Sequence, residues 1–194
     1  TGNEAGTSLV WGKIPSLAAG TTDYLWMYYN NGSIGDGQAA TSVWDANYKG
    51  VWHLDETVTD EGTSGTHADS TSTTDGAGNA SQGGNVNISA KIGTGQDLDG
   101  VNDYIKVTTA AGLNSVGDFT WSAWVYSDVA SSGDDLMYGS PGDGTKELLA
   151  QLSTGTDGEA DIYTNGSYRF TNGAAAASGA WKHVAVRRST STIN

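Results

Sequence analysis

Residues 119–126 read Phe-Thr-Trp-Ser-Ala-Trp-Val-Tyr. Phe119, Trp121, Ala123 and Val125 alternate with Thr120, Ser122, Trp124 and Tyr126. A period of two places successive side chains on opposite faces of a β-strand. Aromatic rings fall on both faces here, which predicts a central strand covered on two sides. Trp121 and Trp124 are read first as core or inter-sheet packing, because large rings supply much of the burial energy of such a domain. The alternative for either ring is a sugar-stacking platform, which requires a solvent-facing indole.

The same pattern spreads in both directions. Short apolar or alternating runs broken by Gly, Asn and Asp predict strands at 24–29 (YLWMYY), 50–54 (GVWHL) and 104–107 (YIKV). Further runs follow at 136–138, 146–152 (KELLAQL), 160–164, 167–170 and 181–187 (WKHVAVR). Between 162–164 and 168–170 sits Asn165-Gly166, whose tolerance of positive φ predicts a two-residue hairpin turn. Residues 11–31 read as two strands closed by Asn30-Asn31-Gly32. The Ser, Thr, Gly and Asp-rich stretch 57–84 reads as long loops around at most one short strand. The one Ala cluster, 174–177, is too short for a stable helix.

Composition bounds the function. The chain has 194 residues, which suits one large β domain or one domain plus part of another. Its formal net charge of −13 argues against phosphate-backbone binding and against docking on an anionic membrane surface. Nucleic acid and membrane insertion are therefore set aside as partners, since no apolar run approaches the length of a span either. With no Cys there is no disulfide, thiolate metal site or cysteine nucleophile. Five of the 22 acidic residues are Glu and the rest Asp, which favours turns, caps and hard-cation sites over helices. A Cys-free, Asp-, Gly- and Thr-rich chain held by seven Trp and nine Tyr reads as a secreted or cell-surface prokaryotic β-protein. The chain opens on Thr1 without a Met or signal peptide, which reads as a start inside a longer precursor or as processing.

From Gly50 onward, GVWHLDE, HADST, KIGTGQDLDGVNDYIKV, FTWSAWVY and WKHVAVRR occur in order. This series resembles the laminin-G-like / concanavalin A-like lectin-glucanase jelly-roll family, and its most specific piece is Leu98-Asp99-Gly100-Val101-Asn102-Asp103-Tyr104. The resemblance implies an all-β fold: an antiparallel two-sheet β-sandwich of jelly-roll type spanning 50–194, with closing strands missing at the C-terminus. Upstream, WGKIPSLAAGTTDYLWMYYNN and VWDANYKG look like the C-terminal end of a family of unknown function found in bacterial surface proteins. Residues 1–49 are accordingly expected to form a β segment of an upstream domain. Missing strands would leave open sheet edges, which recruit neighbours and allow self-assembly.

The family also houses glucanases, so carboxylate pairs matter. A retaining glycosidase needs two carboxyl groups about 5–5.5 Å apart, which the hydrolases of this fold supply from a Glu-x-Asp-x-Glu or Glu-x-Asp-x-x-Glu strand. None of Glu4, Glu56, Glu61, Glu147 or Glu159 begins such a run; Glu159-Ala160-Asp161 comes nearest and lacks the second Glu. Asp55-Glu56 and Asp60-Glu61 are adjacent pairs that point to opposite faces if extended. His53, His67 and His183 show no zinc spacing, and His53 and His183 are expected to be buried or half-buried imidazoles bonded to backbone. No Gly-x-Ser-x-Gly elbow and no phosphate loop is present. The chain is therefore expected not to be an enzyme.

Calcium is the one cofactor with a positive argument, since it takes six to eight oxygen ligands that Asp- and Asn-rich loops supply. Asp97, Asp99, Asn102 and Asp103 crowd into one turn, with Asp69 as a remote ligand, and the resemblance implies a rim cation near such a turn. The competing reading makes Asp99-Gly100 a plain turn that Asp103 caps. The expected function is a non-catalytic recognition or adhesion module of a large surface protein. It would bind glycan or a neighbouring surface protein through the sandwich rim. A structural subunit of an extracellular fibre, sheath or stalk is the alternative, with a glycoside hydrolase third.

Overall fold

In a computed structural model, the structure describes residues 9–20, 22–35, 37, 39–57, 63–71, 80–84, 86–99, 101, 103–107, 118–127, 134–140, 148–153, 159–164, 167–172, 179–189 and 192–193. The architecture is all-β and antiparallel, in keeping with a two-sheet sandwich. Helix is confined, among these residues, to the single turn Ala40–Val43. The strands are β1 (Thr63–His67), β2 (Ala80–Gly83), β3 (Val86–Ser89), β4 (Thr94–Asp97), β5 (Tyr104–Lys106) and β6 (Phe119–Val125). They continue with β7 (Asp134–Ser140), β8 (Leu148–Ser153), β9 (Glu159–Thr164), β10 (Ser167–Asn172), β11 (Lys182–Ser189) and β12 (Thr192–Ile193).

The chain divides into two compact units, Thr1–Asp97 with Tyr104–Thr109, and Leu98–Asp103 with Ala110–Asn194. The first holds a sheet in the order β1-β2-β5 and the hairpin β3-β4. Ser89 pairs with Thr94, and the turn between them closes through Ala90 N–H to Gly93 O at 3.0 Å, with Gly93 at φ 62°. That left-handed position costs glycine nothing.

The second unit holds β10-β9-β8-β7 and β12-β11-β6. β9 and β10 pair antiparallel with Thr164 opposite Ser167, and the Asn165-Gly166 pair predicted to turn between them lies outside the described residues. β6 and β11 run antiparallel for seven pairs, from Lys182 opposite Val125 to Arg188 opposite Phe119. Along this ribbon the alternation has a physical outcome. Phe119, Trp121, Ala123 and Val125 are half-buried, and Val186, opposite Trp121, is 4% exposed. Thr120, Ser122 and Trp124, with His183, Ala185 and Arg187 across from them, face outward.

Three expectations need correcting. Residues 24–29 form no strand, and among the described residues no second backbone pairs with them; they are 73–91% exposed. The turn predicted after them exists, with Ser33 N–H donating to Asn31 Oδ1 at 3.1 Å and Ile34 N–H to Asn31 O at 3.3 Å, but the two strands it was to join do not. Residues 50–54 also fail to form a strand. They keep one antiparallel bridge, Trp52 to Asp69, and Leu54 breaks the extended path at φ 60°, a strained value for a bulky residue. Conversely, the polar stretch 57–84 holds two strands, β1 and β2, since a ladder is made of backbone groups and needs no apolar side chain.

Candidate functional site: an outward aromatic face and an Asp-closed rim

The outward side of the β6–β11 ribbon carries rings in cross-strand pairs. Trp124 lies opposite His183, their ring centroids 5.2 Å apart and tilted by 57°. One step further along, Tyr126 and Trp181 stand 5.5 Å apart at 55°. Tilted pairs at this spacing are attractive because the positive edge of one ring meets the negative face of the other. Trp124 is 40% and Tyr126 46% exposed, so part of each side chain is open to solvent. Down the same side follow Thr120, Ser122 and Arg187, which offer hydroxyl and guanidinium hydrogen-bonding groups.

This corrects the expectation of a strand covered on both sides. Trp121 packs inward, but Trp124 does not, and His183 is exposed rather than buried. Parity held the signal: once β6 and β11 are paired, Trp124 and His183 share the outer side. His53 is half-buried as expected, stacked on Trp11 with centroids 4.8 Å apart.

The residues proposed as calcium ligands are placed as follows. Asp99 Oδ1 accepts the Val101 N–H at 2.8 Å, and Asp103 Oδ2 accepts the Asp99 N–H at 2.9 Å. Both carboxylates thus close the turn between β4 and β5 upon itself, as the plain-turn reading has it. Asp97 ends β4, paired with Val86, and its side chain is exposed. Asn102 lies outside the described residues. Asp69 sits in the bridge with Trp52. Its Oδ1 accepts N–H groups from Val51 and Thr71 at 2.9 and 3.0 Å, and its Oδ2 accepts the Thr71 hydroxyl at 2.8 Å. Among the described residues no three His, Asp or Glu side chains converge on one point. Backbone N–H groups take up one oxygen each of Asp99 and Asp103.

The abundance of Asp over Glu has a different outlet. Asp45, Asp69 and Asp99 each accept the N–H two residues on, at 3.0, 3.0 and 2.8 Å. Only a short side chain closes that ring.

Sequence reading passed over one further pair. His67 is fully buried at the end of β1, and its Nδ1 lies 2.9 Å from Glu56 Oε2. The other oxygen, Oε1, accepts the Ala68 N–H at 2.7 Å. Gln96 Nε2 donates to the carbonyls of Leu54 and Glu56, and the Thr94 hydroxyl donates to that of Asp55. Burial works against ionisation of Glu56, but the hydrogen bonds from His67 and Ala68, with the charge of His67, outweigh it and hold the carboxyl below its ordinary range. Glu56 is thereby occupied as a strut that ties residues 51–56 to β1. Ten residues lie between the two partners, and no local spacing marks them.

Residues 99–194 match the family model Laminin_G_3, described as the Concanavalin A-like lectin/glucanases superfamily. The match covers β5 through β12 and with them the aromatic face, and it supports the jelly-roll domain expected there. No curated protein and no solved structure matches the chain.

Proposed function

We propose that the chain is a non-catalytic recognition module that binds glycan on the outward face of β6 and β11. Trp124 would act as the platform and Tyr126, Trp181 and His183 as its flanks. The observation that carries this reading is a ring 40% exposed on a regular antiparallel ribbon, inside the segment that matches a superfamily of lectins and glucanases. The C–H groups on one face of a pyranose carry partial positive charge and pack against the negative face of an indole. Thr120, Ser122 and Arg187 supply the polar groups that sugar hydroxyls need once they leave water. Paired strands hold Trp124, His183, Thr120, Ser122 and Arg187, with Tyr126 and Trp181 at their ends, so little entropy is lost on binding. Recognition without bond cleavage is supported by the sequence, in which no Glu begins a Glu-x-Asp-x-Glu or Glu-x-Asp-x-x-Glu run. An extracellular setting is part of the same proposal, in keeping with the acidic, Asp-, Gly- and Thr-rich composition.

A glycan array probed with the parent chain and with Trp124→Ala tests this, each with and without a chelator. The parent should retain specific spots, and Trp124→Ala should lose at least about tenfold in affinity while keeping its far-ultraviolet circular dichroism. Because the rim turn closes by its own hydrogen bonds, the chelator should change neither. Equal binding by Trp124→Ala would remove the face from the proposal; chelator-sensitive binding would return a cation to Asp99 and Asp103.

A further inference from the structure

A second group of rings lies in the first unit, outside the family match. Trp44 is its hub, 5.9 Å from Trp11, 5.1 Å from Tyr48 and 6.0 Å from His53. Trp11, Trp44 and Tyr48, with Lys13, Val43 and Asp45, wall an open pocket of about 210 Å³. A cluster serving only to pin residues 9–14 would bury its rings, yet Trp11 and Tyr48 are each 47% exposed around the hollow.

The rim is fixed by hydrogen bonds. Asp45 Oδ1 accepts the Asn47 N–H at 3.0 Å, Asp45 O accepts the Tyr48 N–H at 2.9 Å, and Lys49 Nζ donates to Ala46 O at 3.0 Å. Asp45 Oδ2 meets Lys13 Nζ at 3.8 Å, with both side chains about half exposed. A pair that long and that wet contributes little to stability and stays available to a ligand.

We propose that this pocket binds one uncharged sugar residue. The volume is below the roughly 300–1,000 Å³ of sites for drug-sized ligands, so it suits a single ring. Aromatic walls take the apolar face of a pyranose. Adjacent opposite charges select against other chemistries: an anion meets Lys13 but is repelled by Asp45, a cation the reverse, and a wholly apolar ligand offers neither group a hydrogen bond in place of the water it displaces. A sugar hydroxyl donates to Asp45 and its neighbour accepts from Lys13. The site shares no residue with the β6–β11 face and stands whether or not that face binds.

The test uses the whole chain carrying Trp124→Ala, so that failure at the outer face cannot be mistaken for failure here. Indole N–H resonances are followed by NMR during titration with cellohexaose, xylohexaose, chitohexaose and mannohexaose, and with hexagalacturonate as the charged control. At least one neutral probe should shift the Trp11 and Trp44 signals together and saturably, with hexagalacturonate binding more weakly. Trp11→Ala should abolish the Trp44 shift. Asp45→Asn retains an oxygen for the Asn47 N–H and keeps the ring wall, and it should weaken binding about tenfold through loss of a hydrogen bond to a charged group. The proposal is overturned if no neutral probe moves both indoles, if Asp45→Asn binds as tightly as its parent, or if hexagalacturonate binds as well as the neutral probes.

Discussion

Residues 119–126 and residues 24–29 are built from the same kinds of side chain, and they end in opposite states. FTWSAWVY becomes the seven-residue strand β6, and alternate side chains are half-buried. YLWMYY stays outside any ladder, with Tyr28 91% exposed. Strand preference is a property of a surface that pleats against a neighbour rather than of the residues alone. β6 has that neighbour in β11, paired through seven residues. Residues 50–54 fall between the two cases, since one backbone bridge is supplemented by the side chains of Asp69, Gln96 and Thr94.

The largest break in this comparison comes from the ladder's inner face. Val186 is almost fully buried opposite Trp121. Val186→Asp would place an unpaired carboxylate there, at a cost of about 4 kcal/mol or more. That is a large share of the roughly 5–15 kcal/mol that holds a typical domain together. Urea unfolding followed by circular dichroism should show the transition assigned to residues 110–194 lost or moved to much lower denaturant. A midpoint within error of the parent would mean that Val186 is not core.

How far these differences can be read from sequence depends on range. Alternation and an Asn-Gly turn are local, and β6, β9, β10 and β11 stand where those signals put them. Exposure of Trp124 depends on which face of β6 the rest of the unit covers, a non-local fact that an aromatic-rich strand does not encode. β1 and β2 went unseen because Thr, Ser and Gly carry no hydrophobic period while their backbones still pair. The Glu56–His67 pair joins residues eleven apart that no local spacing links. The Asp99–Asp103 turn was legible as a turn, and one oxygen of each carboxylate accepts a backbone N–H within it.

The intermediate case is sharpened by acid. Because the folded-state pKa of Glu56 lies below its ordinary value of 4.5, its contribution to stability is present in full above that value. It is lost as pH falls through the lower, folded value. Amide exchange at Ala68, whose N–H donates to Glu56, should therefore accelerate as pH is lowered through and below about 4.5, beyond the intrinsic change. In Glu56→Gln the amide presents a donor where His67 or Ala68 needs an acceptor. The variant should lose about 1–3 kcal/mol at neutral pH and show a flatter acid dependence. An unchanged pH slope in Glu56→Gln would mean that the strut is not what ties residues 51–56 to β1.

The smallest effect is expected where the comparison began. Trp26 is 79% exposed, and its nearest ring partner among the described residues is Tyr24, at 6.3 Å. If residues 24–29 bear no fold-stabilising packing, Trp26→Ser should leave the melting behaviour of the chain within about 0.5 kcal/mol of the parent, the range of ordinary surface substitutions. The same substitution should raise solubility, since a run of exposed apolar side chains invites association. Differential scanning calorimetry across a concentration series separates the two. A midpoint that rises with concentration in the parent and not in Trp26→Ser would mean that the segment acquires its ladder or its cover from a second copy, because association stabilises whichever state presents the binding surface. A concentration-independent loss of stability in the variant would instead place Trp26 in packing within its own unit, and the contrast with β6 would then be one of degree rather than of kind.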